Sequence, residues 1–525
     1  MVKKIIASFL ALSLLALLAI SCSKPQRIVR YGDMLPRSNP ENQGVATEGI
    51  LRFLEEIESQ GIELHSFMML RHGKVIAECW WDPYKATINH AMHSATKTFT
   101  STAIGFAVKE KRLKVTDKVI SFFPDDLPDE VSPFLKEMRV KDLLTMSTGQ
   151  DRAPIFTQED ENWPRLFLAA PVVYEPGTHF LYNSAASHML SAIITKVTGE
   201  STFEYLKPRL FDPLGITDIQ WETDPQGITV GGGGMRIKTV DMAKLGLFYL
   251  NRGVWEGERL LPASWIEEAS SPHIFQYPDR MPAENAGNEG AQGYGYQVWM
   301  CSPENIYRAD GANGQLILIM PDQDAVVALT ARTTEAHQVM QLVWKHLLPV
   351  MYNRILPSDE YAWNDKTSLL AGLRLKRPSL TPEDTPLLTD KVLDYKLLPN
   401  EQGIEKMTFS FNAEAECLLT IEEKGKTYTF SFGEDNWLTG ETDRPGPYYL
   451  NPRRNPAGMA PFTVSGYAAW PQKDHLQLRL YYLTDIQYED LACHFKGEQL
   501  TVAWTNSQYP EASPILLSGQ LITSP

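Results

Sequence analysis

Two apolar runs, Leu316-Ile-Leu-Ile-Met320 and Ala325-Val-Val-Ala-Leu329, are separated by Pro321-Asp-Gln-Asp324 alone. Each run is too short for a buried helix, and the separator is turn chemistry. The pair therefore reads as an antiparallel hairpin inside a central sheet. Gln338–Leu348 has the spacing of a helix closing against that sheet. Upstream, Ile50, Leu51, Phe53, Leu54 and Ile57 repeat with helical period. Ser66–Leu70 and Val75–Ala77 flank His72-Gly73 as two strands around a tight turn. Buried helices are expected at Thr100–Val108, Val140–Met146 and Ala185–Val197. Helices and strands are mixed but segregated, which is an α+β pattern.

The character changes after about residue 352. Residues 353–389 are Pro-rich and read as a connector. From 390 to 525 the chain is strand-like: Met407/Phe409/Phe411, Tyr428/Phe430/Phe432 and Leu476/Leu478/Leu480/Tyr482 alternate, and Lys424-Gly425-Lys426 suits a hairpin turn. This predicts a smaller all-β C-terminal domain. Trp437, Tyr448, Tyr449 and Trp470 have the look of exposed aromatics that stack on sugars, or of residues that simply pack.

At the other end, Lys3 and Lys4 precede an apolar run from Ile5 to Ile20, the form of a secretory signal. Residues 22–45 are polar and read as a tether. The 525-residue chain carries a net charge of -15 without a basic stripe, so nucleic acid is not an expected partner. Its histidines form no metal-binding spacing, so no metal and no cofactor are expected. Cys79, Cys301, Cys417 and Cys493 read mostly as buried thiols, with a Cys417–Cys493 bridge as the alternative in an exported chain.

Ser94-Ala95-Thr96-Lys97 stands just before a helical apolar run. Residues three apart share a helix face, so the Ser94 hydroxyl and the Lys97 amine can meet. A serine needs a base, and a lysine can serve as one when burial lowers its pKa. The helix N-terminus also aims N–H groups at a developing oxyanion. Alone, the motif equally fits a helix cap with a solvated lysine. Three later segments add to it. Tyr182-Asn183-Ser184 enters a helix and offers a phenol to share the proton, or else a core aromatic. Gly231–Gly234 with Met235-Arg236 permits tight backbone approach, or else forms a plain loop. Ala309-Asp310-Gly311-Ala312-Asn313-Gly314-Gln315 leads into the apolar hairpin, where an edge could supply a second oxyanion donor.

In this order and spacing, Ser94-x-x-Lys97, Tyr182, the glycine run and the Gly311 strand resemble the serine beta-lactamase and penicillin-binding-protein superfamily. The likeness is greatest to its class C-like branch of esterases, D-aminopeptidases and 6-aminohexanoate-dimer hydrolases; it covers roughly residues 46–350 and implies a hydrolase domain over 46–352. It implies an antiparallel sheet flanked by helices, with an all-helical subdomain. It also implies that Ser94 is the acylated nucleophile, Lys97 its base and Tyr182 the acid/base, with the N–H groups of Ser94 and Ala312 as oxyanion hole. Ser184, Asp310, Gly311 and Gln315 would line the substrate site. Ala19-Ile20-Ser21-Cys22 resembles the lipobox of bacterial lipoproteins. That implies loss of residues 1–21, lipidation of Cys22 and an exported chain anchored to the cell envelope, on the periplasmic face.

The third motif of the superfamily is commonly Lys-Thr-Gly or His-x-Gly, and here it is Ala309-Asp310-Gly311. No cation stands there to grip a carboxylate, and Asp310 would repel one or pair with an amine. The expectation is therefore an esterase or amidase acting on a small ester, amide or peptide, ahead of a D-Ala-D-Ala-type peptidase or a beta-lactamase. A slow or non-catalytic ligand-capturing sensor on the same fold is the alternative.

Overall fold

The paired apolar runs lie in the middle of a six-stranded antiparallel sheet. The computed structural model describes residues 34–157, 160–278, 282–358, 369–370, 372–375, 391–412, 416–434, 436–447 and 461–522. The signal segment, Cys22, the start of the tether, most of the connector, and Tyr448 and Tyr449 lie outside the described residues. The elements used below are, in chain order, α1 (Thr47–Gln60), β1 (Leu64–Arg71), β2 (Lys74–Trp80), β3 (His90–Ala91), α2 (Thr96–Lys109), α3 (Val140–Leu144), α4 (Ser184–Thr198), β4 (Met235–Ile237), α5 (Thr239–Leu250), β5 (Trp299–Met300), β6 (Tyr307–Gly311), β7 (Gln315–Met320), β8 (Ala325–Ala331) and α6 (Ala336–Leu342). The sheet runs β2-β1-β8-β7-β6-β5. Between Thr96 and Ile219 the described elements are all helical.

The strand period of two sorts the hairpin onto both faces of this sheet. Ile317, Ile319, Val326 and Ala328 join one core with Phe99 of α2 and Met189 and Leu190 of α4. Leu316, Leu318, Val327 and Leu329 join the other with Ile50 and Phe53 of α1 and Val339 of α6. Both faces are thus covered, which is why neither run alternates with polar residues. Each of these fully buried Leu or Ile side chains contributes about 2 kcal/mol. The expected helix at Val140–Met146 stops at Leu144, because Met146 adopts a left-handed φ of +58°. The closing helix starts at Ala336 and continues past Leu342 as a wider turn through Leu347.

The C-terminal part is built from β9 (Val392–Leu397), β10 (Ile404–Phe411), β11 (Cys417–Glu423), β12 (Lys426–Gly433), β13 (Leu438–Thr442), β14 (Phe462–Gln472), β15 (His475–Tyr482), β16 (Tyr488–Lys496), β17 (Gln499–Asn506) and β18 (Ile515–Leu521). These form one ten-stranded sheet, and a parallel pairing of β12 with β14 folds it round into a barrel. The alternating aromatics and leucines of β10, β12 and β15 fill its core. Lys424 and Gly425 both take positive φ, as the two-residue turn between β11 and β12 requires. Trp470 is 4% exposed and belongs to that core, and Trp437 packs on Tyr467 and Tyr481. Of those four aromatics, the two described, Trp437 and Trp470, are packing residues. Cys417 and Cys493 are buried free thiols, not a bridge. Tyr481 and Leu483, from β15 and the turn after it, belong to the core on the α1 face of the first sheet. The barrel therefore shares a hydrophobic core with the rest of the chain. Among the described residues, no helix is long and apolar enough to cross a membrane.

Candidate active site

Ser94 sits in a tight 3-10 turn, His93–Ala95, that feeds directly into α2. Just before it, β3 pairs with β4, and the Met92 amide donates to the Met235 carbonyl at 2.9 Å. His93 takes a left-handed φ of +44°. A non-glycine residue is strained there, and such strain is held only where the surroundings fix it. The turn leaves Ser94 half-buried and directs Lys97 inward, one helical turn on. Lys97 Nζ donates to Ser94 Oγ at 2.8 Å and to the Gly232 carbonyl at 2.7 Å. With 1% of its surface exposed, Lys97 is the least solvated kind of lysine. Burial lowers its pKa from the ordinary 10.5 to about 7, and the Asp310 carboxylate opposes part of that shift. An amine so tuned is present as a free base near neutral pH.

The glycine run holds this lysine. Gly231 to Gly234 are all buried, so the flexible-loop reading does not apply. A Cβ at Gly231 would overlap the Ser187 carbonyl of α4, and one at Gly232 would lie 2.8 Å from the Ser184 carbonyl. Only glycine lets this segment pass between α4 and α2. Its carbonyls then accept from Lys97 and, at Gly231, from Thr100 Oγ1 at 2.8 Å.

Tyr182 precedes α4. Its ring centroid is 4.9 Å from Lys97 Nζ, and the ring stacks on Trp299 at 5.6 Å. Asn183 caps α4 through the amides of Ala185 and Ala186 and donates to Gln150. Its amide is therefore spent on structure. Ser184 opens the helix, half-buried, with its backbone against Gly232.

The edge of β6 completes the arrangement. On β6, β5 pairs with Tyr307 and Arg308, so Ala309–Gly311 runs past the end of β5. Gly311 packs against the Ser94 turn: a Cβ there would overlap the Met92 carbonyl and sit 3.2 Å from the Ala95 amide. Ala312 follows, exposed at the turn into β7. Gln315 is a correction. It is fully buried, donates to the carbonyls of Ala312 and Ala331, and accepts from the Ala331 amide. It shapes the Ala312 turn and has no group left to offer a substrate.

Asp310 is also different from the expectation. Its carboxylate accepts from Arg308 Nε at 2.7 Å. Arg308 is 2% exposed and is further held by the Met300 and Glu289 carbonyls. Burial disfavours its charge, yet Asp310 and Cys301 keep its pKa above the usual arginine value. Arg308 also lies 3.8 Å from the Glu289 carboxylate, so Asp310 is a paired charge and not the unopposed one the sequence suggested. Arg308 was missed in the sequence, although residues two apart on a strand share a face. Trp299 was also missed as a site residue, and Gln297 as a buried brace behind it. Gln297 accepts from Ser187 and donates to the Leu143 and Leu144 carbonyls, and its own carbonyl takes Thr98. Trp299, Tyr182, Phe180 and Tyr294 form an aromatic wall beside Lys97.

Among the described residues, the one group with donor atoms close enough to hold a metal is Asp474, His475 and His494, on the barrel. What the Ser94 site brings together is an alcohol, an amine tuned to neutrality and a phenol, group types that acyl transfer uses.

The Beta-lactamase family model matches residues 52–349. The chain is similar to an Escherichia coli (strain K12) protein provisionally named a D-alanyl-D-alanine carboxypeptidase, at 24% identity over 39% of this chain and 53% of that one. It is similar to the 6-aminohexanoate-dimer hydrolase of Paenarthrobacter ureafaciens, at 23% identity over 57% of this chain and 82% of the other. A shorter match joins it to the lovastatin esterase of Penicillium rubens (strain ATCC 28089 / DSM 1075 / NRRL 1951 / Wisconsin 54-1255), at 29% identity over 24% of this chain and 38% of that one. The chain thus spans about half the length of the first of these relatives.

Proposed function

The chain belongs to the beta-lactamase family, and from that membership we propose that it is a serine hydrolase cleaving an ester or amide through an acyl-enzyme on Ser94. The observation that carries this reading is a buried Lys97, with a pKa of about 7, donating to Ser94 Oγ at 2.8 Å.

Lys97 as free base takes the Ser94 proton while Oγ bonds to the substrate carbonyl carbon. The carbonyl electron pair moves onto its oxygen, which the N–H groups of Ser94 and Ala312 receive. Collapse breaks the bond to the alcohol or amine, which leaves with a proton from Tyr182. Water then attacks the acyl carbon and returns a proton to Tyr182. Ser94 departs, regains its proton from Lys97, and the acid is released.

The substrate is a neutral one at the third motif. The guanidinium beside the third motif, Arg308, is buried and committed to Asp310, so among the described residues of that motif no free cation supports a carboxylate-bearing ligand. The aromatic wall favours an apolar acyl or leaving group. This supports esterase or amidase activity over beta-lactam or D-Ala-D-Ala cleavage. A panel of p-nitrophenyl esters, D-amino-acid amides and nitrocefin on wild type and Ser94→Ala tests it. Uncharged esters and amides should turn over, nitrocefin poorly, and Ser94→Ala should lose about 10³-fold or more. Equal hydrolysis by both proteins, or none by either, would contradict the proposal.

We also propose export and lipid anchoring at Cys22, supported by the leader and the lipobox-like Ala19–Cys22. Radiolabelled palmitate should label the wild type and not Cys22→Ser.

A further inference from the structure

Resting on the hydrolase reading, we infer that Asp485, in the β15–β16 turn of the C-terminal barrel, is a positioning residue that holds the Ser94 turn and the strand behind Lys97 in register.

The turn Leu483–Gln487 is the place where the barrel reaches the nucleophile segment. Leu483 is fully buried in a core of the first sheet. The Thr484 carbonyl accepts from the Ala91 amide at 3.0 Å, three residues before Ser94. The Asp485 carbonyl accepts from the buried Tyr84 hydroxyl at 3.3 Å. The Asp485 carboxylate, 3% exposed, is divided between two tasks. Oδ2 accepts from Arg236 Nη2 at 3.4 Å. Oδ1 takes the Ile486 amide at 2.8 Å and lies 4.0 Å from His93 Nε2, a buried nitrogen that makes no hydrogen bond.

Both partners lead to the chemistry. His93 is the left-handed residue immediately before Ser94. Arg236 is on β4, directly opposite Ala91 of β3, and follows the glycine segment whose Gly232 carbonyl holds Lys97. Arg236 is 1% exposed and also donates to Glu222 at 3.2 Å and to the Pro447 carbonyl at 3.2 Å. One buried cation between two carboxylates from distant parts of the chain ties β4 to the barrel. A strained turn needs such bracing to keep a hydroxyl aimed. Asp485 touches neither Ser94 nor Lys97 in this arrangement. It acts through His93 and Arg236.

The test compares wild type with Asp485→Asn, which keeps shape and the Ile486 acceptor but removes the charge. Asp490→Asn, on the same strand pair and bonded to Arg479, serves as the control for loss of a barrel ion pair. His93→Asn, which tolerates a left-handed φ, is the second variant, and it decides the matter if Asp485→Asn yields no folded protein. The readouts are the rate constant and the apparent affinity of Ser94 labelling by a fluorophosphonate, and amide exchange over residues 90–97 followed by mass spectrometry. Asp485→Asn and His93→Asn should lower the labelling rate constant by about 10- to 100-fold with affinity changed little, because misaiming by a fraction of an ångström costs rate and not binding. Exchange over residues 90–97 should rise, and Asp490→Asn should match wild type in both. Labelling and exchange unchanged in Asp485→Asn, or an equal loss in Asp490→Asn, would overturn the inference while leaving the hydrolase reading intact. A wild type that takes no label at Ser94 overturns the hydrolase reading itself and leaves Asp485 nothing to position.

Discussion

Lys97→Met should make the protein inactive and more stable at neutral pH, and that advantage should fall and then reverse as pH rises toward 10. An unfolded chain holds Lys97 near its ordinary pKa of 10.5, whereas the folded chain holds it at about 7. Between those values the unfolded state binds more protons, so folding stability rises with pH through that window. Below about pH 7 the fold carries the whole cost of a buried ammonium, and above about 10.5 it carries none. At about 1.4 kcal/mol per pH unit, the cost at pH 7 is on the order of 4 kcal/mol. Methionine fills similar volume without charge. It loses the bonds to Ser94 and Gly232, which returns about 1–3 kcal/mol to the other side. A net gain of about 1–3 kcal/mol at pH 7 is the expectation. Thermal or denaturant unfolding of both proteins at pH 6, 7, 9 and 10 measures it. A variant less stable than wild type at pH 6, or a stability advantage that does not fall toward pH 10, would refute the claim that Lys97 is a buried, destabilised amine.

Two further outcomes follow from the same geometry. With Lys97 acting as free base, kcat/KM should rise about tenfold per pH unit below pH 7 and level off above pH 8; a profile that falls as pH passes 7 would exclude that role. Gly311→Ala places a methyl group into the Met92 carbonyl and must part β6 from the nucleophile turn by about 1 Å, so acylation should slow by about 10²-fold with KM changed less, as steady-state kinetics will show.

What was legible in the sequence was local. Ser94 and Lys97 meet because three residues make one helical turn, and the hairpin at Leu316–Leu329 is readable because apolar runs that short, split by Pro321–Asp324, suit little else. The alternating barrel strands announced their inward faces for the same reason. What failed was the aim of polar side chains. Gln315 is a plausible substrate ligand by position, yet its amide closes onto the backbone at Ala312 and Ala331. Asp310 reads as an unopposed charge until Arg308 is placed beside it, a pairing the strand period allowed but did not demand. Long-range polar links such as Arg236 with Asp485, 249 residues apart, leave no periodic signal at all. The buried state of Gly231–Gly234 was likewise undetermined, since glycines mark loops and tight packing alike.

The most direct measurement is the intact mass of the protein during turnover of a slow p-nitrophenyl ester, quenched in acid and mapped by peptide. A wild type that gains the acyl group on the peptide bearing Ser94, while Ser94→Ala gains nothing, is what this arrangement of alcohol, amine and phenol requires. Turnover without a covalent adduct, or an acyl group found on another residue, would contradict it.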